Sequence, residues 1–251
     1  MTCGAYPFGW KEIKTGCVYT TRTRMPRKRP ETVEIRAEAQ SYVAALADAE
    51  TFGWHLWAEA CRRGMDPTSD LVVIGDGAHW IWNLATDHFP TTTQILDWCH
   101  ASAYVWNAAT AIYGDASAQR TIWAHQQLDD LWDGKGAQHL RALAAVRGKG
   151  EAVTDAISYY TTHQARVDYP TYRARGLQMG SGTIESSCKK LVSARLKLAG
   201  MIWDTGGAEA VVVVRAWQKS GRWAEAMRLR PPPRRTYQRQ AGPPTAVVAA
   251  A

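Results

Sequence analysis

Residues 72–77 have the sequence Val-Val-Ile-Gly-Asp-Gly, a short apolar run that ends in an acidic residue between two glycines. A continuous apolar run of this length, bounded by turn-forming residues, is typical of a strand that is buried on both faces. Where helices cover both faces of a sheet, ligands bind beyond the carboxyl ends of the strands. The stretch therefore predicts an α/β fold and makes Asp76 a candidate functional residue, although Asp between glycines also forms ordinary turns.

A second buried strand is predicted at residues 94–97, Gln-Ile-Leu-Asp, directly before a helical apolar stripe. Asp97 and His100 lie where the strand passes into the helix. Two interpretations stay open: Asp97 caps the helix and His100 is its partner, or the pair belongs to a functional site. A zinc site is poorly supported, because Cys99 and His100 have no second pair of ligands nearby in the sequence.

Glu185 is the third candidate, and it follows the sequence Gly-Ser-Gly at residues 180–182. A Glu in the first turn of a helix is favoured by the helix macrodipole, so a purely structural role is one interpretation. The other is a metal ligand beside phosphate-neutralising lysines, since Lys189 lies one turn further along the same helix face.

The remaining pattern predicts mostly helices. Residues 10–20 are expected to form a strand. A short helix is expected at residues 78–85, ahead of the strand predicted at 94–97. We expect helices at residues 38–63, throughout 116–167 with breaks near 133–134 and 148–150, at 183–198 and at 209–217. Loops are expected at residues 25–30 and 170–182, and the Pro-, Arg- and Ala-rich segment from residue 231 is expected to be disordered.

Composition places the chain with soluble globular proteins, because 46% of its 251 residues are hydrophobic and 21% are charged. The five cysteines form no Cys-x-x-Cys pair, which disfavours a disulfide framework. There is no apolar signal-peptide stretch at the amino terminus and no run long enough for a membrane span. These features predict a cytoplasmic protein.

The formal net charge of +7 favours a polyanionic partner. The positive charge is clustered, and a basic chain with several such clusters is typical of nucleic-acid binding. The candidate DNA-binding residues lie on the predicted helix of Glu185; they are Lys189, Lys190, Arg195 and Lys197.

Several blocks of sequence resemble transposases of ISKra-type insertion sequences. The blocks are residues 73–84 (Val-Ile-Gly-Asp-Gly-Ala-His-Trp-Ile-Trp-Asn-Leu), 95–101 (Ile-Leu-Asp-Trp-Cys-His-Ala), 180–186 (Gly-Ser-Gly-Thr-Ile-Glu-Ser), 195–197 and 200–203, with 10–16 and 42–53 ahead of them. They occur in the family's order and spacing and span about Trp10 to Trp223.

This resemblance implies an RNase H-like core, a mixed sheet with flanking helices, that is interrupted by an all-helical insertion and is predominantly helical by residue count. It implies two Asp and one Glu that bind Mg²⁺ or Mn²⁺. Asp76 would be the second acid and Glu185 the third, while Asp97 and His100 resemble an accessory acid–x–x–His element. The implied partner is DNA, both transposon ends and target, and a homo-oligomer is allowed for.

The resulting division of the chain has four parts: a first core part at 1–115, the helical insertion at 116–170, completion of the core with the Glu-bearing helix at 171–230, and the tail at 231–251. The family's first Asp lies on a strand ahead of the Trp-Lys-Glu stretch, yet the nine residues before Trp10 contain no acid. We therefore expect a transposase-family protein that is truncated at its amino terminus, has an incomplete two-metal site and is inactive as it stands. The alternatives are a non-catalytic DNA-binding remnant and, more remotely, an unrelated helical protein.

Overall fold

The computed structural model describes residues 2–5, 9–24, 34–66 and 70–228, and these form a mixed α/β protein in which helices predominate. The strands are β1 (Thr2–Ala5), β2 (Gly9–Glu12), β3 (Lys14–Arg24), β4 (Glu34–Ala45), β5 (Val72–Gly75) and β6 (Thr93–Leu96). The helices are α1 (Ala49–Arg62), α2 (His79–His88), α3 (Trp98–Tyr113), α4 (Ala118–Trp132), α5 (Gly136–Ala145), α6 (Glu151–Thr162), α7 (Tyr169–Ala174), α8 (Gly182–Cys188), α9 (Ala194–Leu196), α10 (Thr205–Lys219) and α11 (Trp223–Arg228). A 3₁₀ turn at Gln164–Arg166 and a π-helical segment at Lys189–Ser193 lie between them.

The described strands pair in twos and do not form the single mixed sheet that the resemblance implied. β3 and β4 form a long antiparallel hairpin, β5 and β6 are parallel, and β1 pairs with β2 in antiparallel fashion. No described strand joins β3 to β5, so the hairpin and the parallel pair remain separate sheets within the described ranges.

The predicted helix at 38–63 is wrong in its first part, because residues 38–45 belong to β4 and only Ala49–Arg62 is helical. The Ala- and Glu-rich sequence has good helix propensity, but propensity is a weak preference that tertiary pairing overrides. Here the residues pair with β3, and the pairing register shifts near Tyr19. Ala39, on the opposite strand at this point, has a φ of 49°. One extra residue on β4 at this point forms a β-bulge.

Neighbouring residues of a strand point to opposite sides of the sheet, and in this hairpin both sides are covered by helices. On one side, Ala44 belongs to a core with Leu191 and Val212 from the carboxyl-terminal helices. On the other side, Ala45 packs in a second core with Phe52 of α1. The hairpin is thus held between α1 and the helices that follow Glu185.

The parallel pair belongs to the largest core, which Ile95 and Leu96 of β6 share with side chains of α3 to α7. The predicted helical block at 116–167 and its two breaks are confirmed by α4, α5 and α6. The apolar run of β5 departs from the expectation of burial on both faces, since Val72, Val73 and Ile74 are only half-buried.

The outcomes for the other elements vary. The strands predicted at 10–20 and 94–97 and the helices at 78–85 and 209–217 are confirmed, with small shifts of their ends. The loop predicted at 170–182 is wrong over residues 170–174, which lie in α7. The helix predicted at 183–198 is helical to Leu196 but contains the π-helical segment. The loop at 25–30 and the tail from 231 lie outside the described residues.

Two further findings concern the compartment expected from the sequence. Cys17, Cys61, Cys99 and Cys188 are free thiols. None of the described helices combines the length and apolar character that a bilayer crossing requires.

A buried carboxylate connects α1 to the carboxyl-terminal helices. Glu59 is only 5% exposed and pairs with Arg62 on its own helix and with Arg222 ahead of α11, at 2.9 Å. Burial raises the pKa of Glu59, but hydrogen bonds and charge from Arg62 and Arg222 outweigh it and hold the pKa below its ordinary value.

We predict that Arg222→Gln lowers the free energy of unfolding by roughly 1 to 3 kcal/mol at pH 7, because it leaves a buried carboxylate with one partner fewer. A depressed pKa contributes stability above the unfolded pKa that is lost as the pH falls through the folded pKa. The difference between variant and parent should therefore shrink below about pH 4.5, in urea unfolding curves across pH. The exposed Arg141→Gln is the control, and an equal loss at all pH values would contradict the assignment.

Candidate metal centre

Asp97 occupies the point where β6 passes into α3. Its side chain caps the helix, because Oδ2 accepts a hydrogen bond from the backbone N–H of His100 at 3.0 Å. The same oxygen lies 2.5 Å from Nδ1 of His100. Asp97 is fully buried. The structural interpretation of the sequence is therefore confirmed, since Asp97 is a helix cap and also the partner of His100.

The other oxygen of Asp97 reaches a distant segment. Oδ1 accepts a hydrogen bond from the backbone N–H of Ser181 at 2.6 Å, and the N–H of Trp98 donates to the carbonyl of Met179 at 2.9 Å. Ser181 is the residue that precedes α8. These bonds fasten the start of the Glu185 helix to the end of β6, which brings together residues far apart in the sequence.

The result is a cluster of three potential metal ligands. One ligand atom each from Asp97, His100 and Glu185 lie within 4.8 Å of one another, and this group could hold a metal ion. Asp97 is buried, His100 is half-buried and Glu185 is exposed, so the cluster leads from the interior to the surface. Ser181 supports Glu185 weakly, with Oγ donating to Oε1 at 3.4 Å.

The electrostatics of the cluster favour a cation. The hydrogen bond to Asp97 raises the pKa of His100, burial opposes this, and the charges of Asp97, Asp76 and Glu185 raise it further. Burial raises the pKa of Asp97, but hydrogen bonds from His100 and Ser181 outweigh it and lower the pKa. With Nδ1 held by a carboxylate, Nε2 of His100 is the ring nitrogen left to bind a metal, an arrangement that is common in metal proteins.

Asp76 lies close to this cluster but is not part of it. Its Oδ1 accepts the N–H of Ala78 at 2.9 Å, and its carbonyl accepts the hydroxyl of Tyr159 at 2.8 Å. Its exposed side chain lines the same cavity as His100 and Glu185. The sequence assigned the metal to Asp76 and Glu185, with Asp97 and His100 as accessories; the three ligand atoms that the structure groups together come from Asp97, His100 and Glu185.

The glycines around Asp76 are explained by protein contacts. A Cβ on Gly75 would lie 2.8 Å from Ile81, and one on Gly77 would lie 2.5 Å from the ring of Tyr159. Gly77 also has a φ of 106°, which side-chain-bearing residues rarely adopt. Glycine is therefore required at both positions, because Ile81 and Tyr159 fill the space that a side chain would need.

The predicted DNA-binding residues are exposed, and one of them lines the cavity of the cluster. Lys189 lines the same cavity as Glu185. Lys189, Lys190, Arg195 and Lys197 are all exposed. The helix changes to π-helical geometry at Lys189–Ser193, and Arg215 donates hydrogen bonds to the carbonyls of Lys190 and Leu191 there. Such π-helical turns occur often at functional sites.

Comparisons of the chain with protein-family models, with curated proteins and with solved structures found no match. The resemblance to transposases therefore stays a prediction, and the site is interpreted from its geometry. Sequence reasoning missed Tyr159, which stacks on Tyr104 with ring centroids 3.8 Å apart and holds the Asp76 turn. No sequence signal marked it, since it looks like any aromatic residue on a helix stripe.

We predict that Gly77→Ala destabilises the fold by roughly 1 to 3 kcal/mol, because the new methyl group meets Tyr159 and the backbone must hold a positive φ. Urea unfolding measures the change. Gly136→Ala is the control, because a Cβ there would meet only Val167 at 4.0 Å. Equal effects of the two substitutions would contradict the explanation of the Gly-Asp-Gly turn.

We also predict that the cluster binds Mn²⁺, and that Glu185→Gln and His100→Ala each weaken binding at least tenfold because each removes a ligand. Isothermal titration calorimetry gives the affinities. The exposed Asp155→Asn on α6 is a charge-matched control for Glu185→Gln. If all three variants bind Mn²⁺ as the parent does, the cation is not held by this cluster.

Proposed function

We propose that the protein binds DNA and holds a divalent cation against its phosphates, as the cation-binding part of a transposase-type centre for metal-dependent strand cleavage and transfer. One observation carries the proposal: His100 and Glu185, two members of the potential metal cluster, line a cavity that Lys189 also lines. A cation site beside phosphate-neutralising lysines suits a phosphodiester substrate. The net charge of +7 agrees with a polyanionic partner.

The ligand set suits Mg²⁺ or Mn²⁺. Two of the three groups are carboxylates, which magnesium and manganese prefer, and the imidazole of His100 is better tolerated by manganese. The absence of a thiolate from the group disfavours a structural zinc site of the cysteine type. We therefore expect Mn²⁺ to strengthen DNA binding more than Mg²⁺ does.

Each residue has a distinct part in this proposal. Bound metal would polarise a phosphoryl oxygen and activate the attacking group. His100 and Glu185 would hold the cation, and Asp97 would orient His100 and contribute charge. Asp76, which lines the same cavity, would face a second cation or a metal-bound water. Lys189 and Lys190 would neutralise the phosphates on either side of the reacting one.

Cleavage by these residues alone is not expected. Two-metal centres need a clamp on both the attacking and the leaving oxygen. Among the described residues, one group of three potential metal ligands is found, and Asp76 lies outside it. We propose that this group binds a cation and DNA but does not by itself cut robustly.

A gel-shift titration tests this proposal. We predict salt-sensitive binding of duplex DNA that Mn²⁺ strengthens and EDTA weakens, because the cation bridges cluster and phosphate. Lys189→Gln with Lys190→Gln should reduce the slope of log K against log salt by about 2, one unit for each phosphate that a lysine no longer neutralises. Lys219→Gln with Arg141→Gln is a charge-matched control on other helices.

The outcomes separate the candidates. Plasmid nicking with Mn²⁺ that disappears in Glu185→Gln would show that the site is complete, against the proposed inactivity. Tight binding that is indifferent to EDTA and to Glu185→Gln would favour a non-catalytic DNA-binding protein. One observation favours that second candidate, since both oxygens of Asp97 already accept hydrogen bonds. No binding at moderate salt would exclude both.

A further inference from the structure

A cavity of about 1230 Å³ lies between the β3–β4 hairpin and the β5–β6 pair. One wall of the cavity is formed by an unbroken run of residues from Glu12 to Thr21, most of them in β3. Another wall is formed by an unbroken run from Asp70 to Asp76, which includes β5. The face of a strand would contribute every second residue only, so an unbroken run means that the strand's edge lines the cavity. No described residue of β4 or β6 lines it.

The edge of β5 that faces away from β6 has hydrogen-bonding groups to offer. The carbonyls of Leu71 and Gly75 accept bonds from Thr93 and Asp97, at 2.9 and 2.8 Å. Bonding in a parallel pair recurs at every second residue, so Val73 also faces β6. Val72 and Ile74 therefore direct their N–H and C=O groups to the opposite side, along which the cavity runs.

β3 presents its second edge to the same cavity, and no described strand pairs with that edge. β4 occupies one edge of β3 from Lys14 onward. An unpaired strand edge is a template for another strand, and proteins normally cover or blunt it. Two such edges that line one cavity share a common complement, namely a single strand lying between them.

Apolar side chains of α1 and α8 line the cavity, alongside the polar side chains of His100, Glu185 and Lys189. Phe52 and Leu56 of α1 pack close to Gly16 of β3, within 3.1 Å of where its Cβ would be. Ile184 and Cys188 of α8 line the cavity as well. The strand that fits is therefore apolar on both of its faces, as the half-buried run of β5 also indicates.

The direction of the strand follows from β1. Thr2 pairs with Glu12 in an antiparallel register, so a strand that continued β1 at its amino end would next pass Ile13, Lys14 and Thr15. Because β4 occupies the other edge of β3, the continuing strand can lie only at the edge that lines the cavity.

We propose that this cavity is a strand-binding slot. Its occupant is an extended segment, apolar on both faces, that continues β1 at its amino end, runs antiparallel to β3 and hydrogen-bonds to both β3 and β5. Binding by strand addition takes its affinity from main-chain hydrogen bonds and its specificity from side-chain pockets. The inference does not rest on the proposed function.

Amide hydrogen exchange by NMR tests the slot. The probe is an eight-residue segment, Thr-Val-Ile-Val-Thr-Val-Ile-Thr, fused ahead of Met1 with zero, one or two glycines between them, so that each alternation of its faces is sampled. We expect the best of the three fusions to slow exchange of the Val72 and Ile74 amides by roughly tenfold or more and to raise Tm by several degrees. The exchange rate of the Val73 amide, which already faces β6, should change less.

The matched control carries the same segment with proline at its third and sixth positions, which removes N–H donors. It should leave the exchange of Val72 and Ile74 unchanged. The proposal is overturned if none of the three fusions protects these amides, or if the proline control protects them equally. It is also overturned if they are protected in the unfused protein and lose protection on deletion of residues 229–251 or on dilution, which would make the tail or a second copy the occupant. Because His100 and Glu185 line the same cavity, Mn²⁺ titration of the unfused protein reports on the metal centre separately.

Discussion

The buried carboxylate of Asp97 is the interaction on which the candidate centre depends. It ends β6, caps α3, holds His100 and accepts the N–H of Ser181 in front of α8. A buried charge is tolerated only when hydrogen bonds replace the lost water, and here three donors do so. Together with the bond from the N–H of Trp98 to the carbonyl of Met179, this residue fixes the start of α8, and with it Glu185, beside His100.

The same arrangement sets the charge balance of the site. The hydrogen bond to Asp97 and the charges of Asp97, Asp76 and Glu185 raise the pKa of His100, against the opposing effect of burial. Of the exposed lysines after Glu185, Lys189 lines the same cavity as His100 and Glu185. Acidic and basic side chains therefore border one cavity.

The open slot explains where the fold departs from expectation. The run of apolar residues in β5 is typical of a central strand, yet Val72 to Ile74 are only half-buried because a neighbour is absent on one side among the described residues. The resemblance implied one mixed sheet, and the described strands instead form pairs, of which β3–β4 and β5–β6 border the cavity. Local patterns in this region are consistent with a larger sheet than the one observed.

The sequence by itself determined the short strands β5 and β6 and the helical block at 116–167, because periodicity and turn-forming residues are local signals. It misassigned residues 38–45, where pairing with β3 overrides helix propensity. Only the tertiary structure decided that Asp97 and His100 join Glu185 while Asp76 lies at the side, and that Tyr159 fills the space beside Gly77. These relations depend on hydrogen bonds and contacts between residues about 80 positions apart, such as Asp97 to Ser181, and no local pattern encodes such distances.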